Sequence, residues 1–212
     1  MKRRQRRSYQ ADAAVREVLV GNPDLAKQQA QAALALSNGR DAEGLSAIAL
    51  GLAGDSTQAT RLADDLGKRF PENTIVQSNY LPTIHAAVLL RSGNASKAIE
   101  TLATAAPHEL GTNFVTLNFA LYPVYMRGEA YLAAKQGSAA AAEFQKILDH
   151  PGIVRSEPIG ALAHLQLGRA LALSGETKKA KSAYDDFLTL WKDADLDIPI
   201  LKQAKAEYAK LH

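Results

Sequence analysis

A glycine followed five residues later by an alanine recurs along this chain, and that interval constrains its fold more tightly than any other feature. The pairs are Gly21 with Ala26, Gly54 with Ala59, Gly93 with Ala98, and Gly175 with Ala180. A fifth copy, YLAAKQGSAAAAEF, moves its glycine two residues later, to Gly137 before Ala140. It keeps the flanking interval, since Tyr131 to Phe144 matches Leu171 to Tyr184. The five alanines are 33, 39, 42 and 40 residues apart. A period of this size indicates an array of helical hairpins, so length counts stacked units rather than separate cores. The 212 residues read as one elongated domain.

Each unit is expected to be a helix A, a turn at the glycine and a helix B, with apolar residues at helical spacing on the faces that meet. The pairs fall at 9 to 20 with 23 to 37, 41 to 53 with 56 to 70, 75 to 92 with 95 to 106, 117 to 136 with 138 to 149, and 159 to 174 with 176 to 191. Pro23 suits a first helical turn, and Asp55 or Ser56 and Asn94 suit N-caps. Pro71 ends the helix before it at Phe70, and Asn73 or Thr74 restarts the chain. Pro82 and Pro123 are either first-turn residues or kinks. The short alanines let helices cross at about 8 Å.

A closing helix, 198 to 211 within a C-terminal segment 198 to 212, places Ile198, Leu201, Ala204, Tyr208 and Leu211 on one face. Lys202, Lys205, Glu207 and Lys210 fall on the other, the pattern of a cap that shields the last apolar surface.

Five of the 25 Lys and Arg residues lie in MKRRQRR at the start, leaving 20 basic against 22 acidic residues elsewhere. This basic segment, residues 1 to 8, is a contact for nucleic acid or an anionic surface, a juxtamembrane flank, or a solvated extension of the first helix. No apolar stretch follows it as in a secretory signal, and no run approaches the roughly 18 apolar residues of a membrane-spanning helix. The expected setting is cytoplasmic. Cysteine is absent, which excludes disulfides and thiolate metal sites.

The run HLQLGRALALSGETKKAKSAYDDFL, with Leu167, Gly168, Leu171, Ala180 and Tyr184, resembles the tetratricopeptide repeat. So does VYMRGEAYLAAKQGSAAAAEFQKILDHPG, with Gly128, Tyr131, Ala140, Phe144 and Pro151. Repeat two supplies Pro71, whereas repeats one and three lack the family's aromatic positions. The resemblance implies an all-α, right-handed solenoid of about five tetratricopeptide-like hairpins across 9 to 197, with a C-terminal capping helix. More narrowly, LADDLGKRFPENTIVQSNYLPTI and the runs after LYPVYMRGEAY look like the C-terminal region of large bacterial proteins. Many of those are eukaryotic-like serine/threonine kinases, and others carry a DNA-binding regulatory domain.

Catalytic chemistry finds no foothold. G-x-G-x-x-G, H-R-D and D-F-G are absent, and NGRDAE (Asn38 to Glu43) lacks the His and later Asn of a catalytic loop. Neither G-x-S-x-G nor a P-loop occurs. The histidines, His85, His108, His150, His164 and His212, form no i, i+4 pair, so no metal site is expected. Asp64/Asp65 and Asp185/Asp186 read as solvated B-helix surface. Asn94-Ala95-Ser96 matches a glycosylation sequon of low specificity. Matched helical positions carry Ala, Leu and Gly, unlike repeats that read RNA bases. No cofactor, no enzyme activity and no specific nucleic acid are expected.

Binding through shape remains, with A helices lining a groove for a protein or peptide. The family register assigns to that groove Tyr80, Thr83 and Arg91 in repeat three, Tyr122, Tyr125 and Glu129 in repeat four, and Gln166 and Arg169 in repeat five. Tyr and Arg are enriched at interface hot spots; equally, Tyr122 and Tyr125 suit packing between repeats. The clamp of Lys and Asn that chaperone-binding relatives use is replaced by Thr83, Ala87, Tyr125, Glu129, Leu165 and Arg169. The expected function is a partner-recruiting module of a larger bacterial signalling protein, or alternatively a free-standing adaptor or self-associating scaffold.

Overall fold

The computed structural model describes residues 2–111 and 119–211; it omits the expected start of a helix at 117, Met1, His212 and the side chains of the basic segment. The described residues are helical without a strand, and divide into two compact units, 1–104 and 105–212. The first holds α1 (Lys2–Leu19), α2 (Pro23–Leu36), α3 (Arg40–Leu52) and α4 (Ser56–Arg69). A π-helical turn (Val76–Tyr80) then runs into α5 (Leu81–Arg91), followed by α6 (Ala95–Ala103). The second holds α7 (Tyr122–Ala133), α8 (Gly137–Leu148), the single turn α9 (Pro151–Val154), α10 (Pro158–Leu173), α11 (Thr177–Leu190) and α12 (Pro199–Tyr208). Within the first unit α1 packs on α2 and α3, α3 on α4 and α5, and α5 on α6; within the second α7 packs on α8 and α10, α10 on α8 and α11, and α11 on α12. These are successive antiparallel helical hairpins.

One hydrogen-bonding scheme explains the five-residue interval. Gly21, Gly54, Gly93 and Gly175 have φ of 96°, 91°, 77° and 79°, left-handed values that glycine adopts without the Cβ penalty. In each case the next residue donates its N–H to a carbonyl five residues back in the first helix. These bonds are Asn22 to Glu17 (2.9 Å), Asp55 to Leu50 (2.8 Å), Asn94 to Leu89 (2.9 Å) and Glu176 to Leu171 (2.9 Å). That same residue's carbonyl accepts from Ala26, Ala59, Ala98 or Ala180, the first bond of the second helix. One residue thus closes helix A and opens helix B, and the alanine falls at the helix crossing with its side chain fully buried.

The fourth hairpin corrects the expected glycine shift. Its left-handed residue is Lys135 (φ 61°), five before Ala140, and Gln136 makes both bonds, to Tyr131 O (2.8 Å) and from Ala140 N (3.0 Å). Gly137 serves another purpose. A Cβ there would stand 2.4 Å from Ser174 Oγ and 2.7 Å from Ala170 O, so its bareness lets α10 approach α8.

The second close approach puts an aromatic ring on a glycine. A Cβ on Gly128 would lie 2.5 Å from Phe144, and one on Gly168 2.6 Å from Tyr184; both pairs are 16 residues apart. Gly44 is met by a ring from the next hairpin instead, that of Tyr80, 2.6 Å from the Gly44 Cβ position. Pro82 and Pro123 are both first-turn residues. Upstream of Pro82 the helix widens instead of breaking, with Leu81 N–H donating to Val76 O, five residues back. Asp55 and Asn94 cap α4 and α6, their side chains accepting from Gln58 N (3.1 Å) and Lys97 N (3.2 Å).

A buried ion cluster fastens the start of the second unit. Arg127 on α7 holds Glu109 with two nitrogens, at 3.0 Å for the nearest, and Glu143 at 2.6 Å; Lys146 completes the set by pairing with Glu109. In the first unit Arg69, at the end of α4, pairs with the buried Glu43 of α3 and with Asp65.

Candidate functional site

The two units treat the eight register-assigned residues differently. In the first, the Tyr80 ring is buried against Gly44 and its hydroxyl donates to Asp41 Oδ1 (3.1 Å), a carboxylate also held by Arg40 at 2.7 Å. Thr83 is fully buried and donates to Asn79 O (2.7 Å). Arg91 is exposed at the end of α5, its guanidinium 3.2 Å from the Gly54 Cβ position.

In the second unit four of the five come together. Arg169 Nη1 donates to Gln166 Oε1 (3.2 Å), and Gln166 Nε2 donates to the Tyr125 hydroxyl (3.1 Å), which in turn hydrogen-bonds the Glu129 carboxylate. Adjacent A helices, α7 and α10, are thereby joined by one polar row. Tyr122 stands apart: it is fully buried, packs on Phe119 at 4.7 Å, and donates to Glu157 (3.1 Å). Tyr125 is 3 % exposed and meets Phe144 edge-on at 5.7 Å. Its ring packs between helices while its hydroxyl serves the row.

The row ends on a residue that the amphipathic pattern of α12 assigns to solvent. Glu207 accepts from Arg169 Nε (2.8 Å) and Nη2 (2.9 Å), a two-pronged pairing, and from the Tyr184 hydroxyl (2.8 Å). Ile200, Leu201 and Ala204 form the buried face of α12; Ile198, Tyr208 and Leu211 are only partly buried. The stripe is therefore phased on 200, 204 and 207, and spacing of four and then three from Ile200 is the signal that would have found Glu207.

Electrostatics follow the geometry. Burial pushes Tyr125 well above the ordinary tyrosine range, helped by Glu129, against the opposing Gln166 bond and Arg169 charge. Burial also raises Glu129, with Arg169 and the Tyr125 bond opposing it. For Glu207, burial acts upward but is outweighed by the Arg169 bonds and charge, the Tyr184 bond and Lys210, so its carboxyl sits below the usual value. Burial works against the charge of Arg169, and Glu207 more than restores it. At neutral pH the end of the row is a bound guanidinium–carboxylate pair.

Among the described residues, no group of three or more His, Asp or Glu side chains could hold a metal ion. His164 lies 3.7 Å from Asp186, and the His150 ring contacts Lys146 O. No helix among them is long and apolar enough to cross a membrane.

No protein-family model and no curated protein matches the chain. Among solved structures it is similar to MamA 41-end from Desulfovibrio magneticus RS-1, at 20% identity over 90% of this chain and 97% of that one, with a TM-score of 0.49. It is likewise similar to the MamA RS-1 ArsTM double mutant (19% identity; 91% and 98% covered; TM-score 0.49). A third similar structure is Pseudomonas aeruginosa pilF (16% identity; 98% and 90% covered; TM-score 0.49).

Proposed function

We propose that the chain is a non-catalytic protein-interaction module that holds a peptide or partner segment along the A helices of its hairpins. The polar row from Glu129 through Tyr125 and Gln166 to Arg169 carries this proposal. It spans two consecutive hairpins; Tyr125 and Gln166 are buried within it, and a partner laid across the repeats would meet its partly buried ends, Glu129 and Arg169. In the first unit Arg91, exposed at the end of α5, is a separate candidate contact. Tyr80 and Thr83 in the first unit and Tyr122 in the second are buried and serve packing.

The finer proposal is that the module recruits partners for a larger bacterial signalling protein, such as a serine/threonine kinase; support comes from the sequence resemblance alone. A free-standing, self-associating scaffold in the cytoplasm is the second reading, favoured by Leu190 and Leu196, which are 60 % and 72 % exposed. The basic N-terminal segment is proposed to touch an anionic surface, a contact that should weaken with salt and vanish on removal of residues 1 to 7.

Crosslinking pull-downs from lysate of the source organism, with the intact chain and with Arg91→Ala/Arg169→Ala, test the module. Capture that falls in the folded double variant supports it, whereas no specific capture by either protein refutes it. Immunoblotting the endogenous protein separates the two settings by size, and light scattering against concentration tests self-association.

A further inference from the structure

We propose that Glu207 occupies, in cis, a carboxylate-binding site built by Arg169 and Tyr184, and that an acidic peptide segment of the partner takes its place. This inference rests on the interaction-module reading above and specifies the chemistry of the partner.

All three hydrogen bonds to the Glu207 carboxylate come from the body of the unit, α10 and α11; only the acceptor belongs to the terminal helix. The donors are positioned without it. Arg169 is steadied through its third nitrogen by Gln166, and Gln166 by Tyr125, while the Tyr184 ring is fixed against Gly168. A site held this way keeps its shape when one carboxylate leaves and another arrives.

Glu207 is also placed to leave. The apolar anchors of α12, Ile200, Leu201 and Ala204, lie in its first two turns, whereas Glu207 is in the last. A helix C-terminus disfavours negative charge; against this, Lys210 favours the charged carboxylate and the neighbouring Tyr208 ring lies 6.2 Å from that of Tyr184. Fraying this last turn gives up the Tyr184–Tyr208 ring contact together with the Glu207 bonds and leaves the buried anchors in place. The exposed lysines of α12, Lys202 and Lys205, and Lys210 just after it, favour an acidic arrival over a basic one.

The test uses the full chain and a fluorescein-labelled ten-residue Glu/Ala peptide, with a Gln/Ala peptide of equal length as control, read by anisotropy at low salt. If Glu207 fills the site about nine-tenths of the time, freeing the site raises apparent affinity about tenfold. Glu207→Gln should therefore bind the acidic peptide about tenfold more tightly than wild type. Adding Arg169→Gln should abolish that gain, and the control peptide should bind none of the proteins. Equal affinity of wild type and Glu207→Gln, or a gain that survives Arg169→Gln, overturns the proposal. Amide hydrogen exchange on wild type gives an independent check should a variant unfold: residues 205–208 must exchange faster than 201–204, and equal protection also overturns it. Lysate capture that persists in Arg169→Gln would sink this site while leaving the interaction module standing.

Discussion

Replacing Gly128 with alanine tests the contact that sets the depth of the fourth hairpin. The new methyl would stand 2.5, 2.7 and 2.9 Å from three carbons of the Phe144 ring, distances at which something must move. The ring has little room: it is fully buried, and Tyr125 meets it edge-on. Overpacking of this kind costs about 1–3 kcal/mol. Alanine in place of a mid-helix glycine returns about 1 kcal/mol through helix propensity. With the clash at the upper part of its range, the net loss is about 1–2 kcal/mol. In a unit of this size each kcal/mol lowers Tm by about 4–8 °C. The single tryptophan, Trp191, packs on Phe187 at 5.1 Å in the same unit, so its fluorescence in a urea titration reports the relevant unfolding. Gly152→Ala is the control, since no heavy atom lies within 4 Å of its Cβ position; it should be neutral or slightly stabilising. Phe144→Leu makes room, so Gly128→Ala should cost less in that background, with the coupling read by a double-mutant cycle. A Gly128→Ala protein as stable as wild type, or strict additivity in the cycle, would refute this account of the hairpin.

Lys135→Gly and Arg155→Gly should each stabilise the second unit by about 0.5–1 kcal/mol, because both residues hold positive φ (61° and 54°). Gly175→Ala, at φ 79°, should lose about 1 kcal/mol; both effects are read from denaturation midpoints. Arg127→Met leaves Glu109 buried with fewer partners and should cost about 3–5 kcal/mol, while Arg127→Met/Glu109→Gln should recover part of that loss in the same assay. Glu207, with its folded pKa held below the ordinary 4.5, contributes stability that is present above its unfolded value and lost as pH falls through the folded one. The urea midpoint of Glu207→Gln should therefore fall furthest below wild type at neutral pH, and the gap should close on acidification below pH about 4.

The hairpins were legible because what specifies them is local. Positive φ, the two-way hydrogen bonding of the next residue and a small side chain at the crossing all fall within six residues, and five alanines mark them. Lys135 escaped because a left-handed lysine leaves no compositional sign; only the interval to Ala140 betrays it. Register places Tyr80, Thr83, Tyr125 and Gln166 on the A helices but does not reveal burial, which depends on what the neighbouring hairpin brings. Tyr80 lays its ring on Gly44 of the preceding hairpin, something only the packing of consecutive repeats discloses. Glu207 was missed because phasing the terminal stripe on Ile198 and Tyr208 rotates the carboxylate to the outside.

The same three groups, tyrosine, carboxylate and arginine, occur in both units, and their difference bears on which one can exchange. Tyr80 lies on Gly44 and Tyr184 on Gly168, each with a ring carbon 2.6 Å from the glycine's Cβ position. Each hydroxyl donates to a carboxylate that an arginine also holds. In the first unit that carboxylate is Asp41, adjacent in sequence to Arg40 and near the start of α3, an element packed on several others. Negative charge is favoured at a helix N-terminus, so helix and arginine hold it together. In the second unit the carboxylate is Glu207, 38 residues from Arg169, in the last turn of a terminal helix, where the end of the helix opposes it. The first triad joins neighbouring elements of a core; the second closes on a turn that can open without disturbing one.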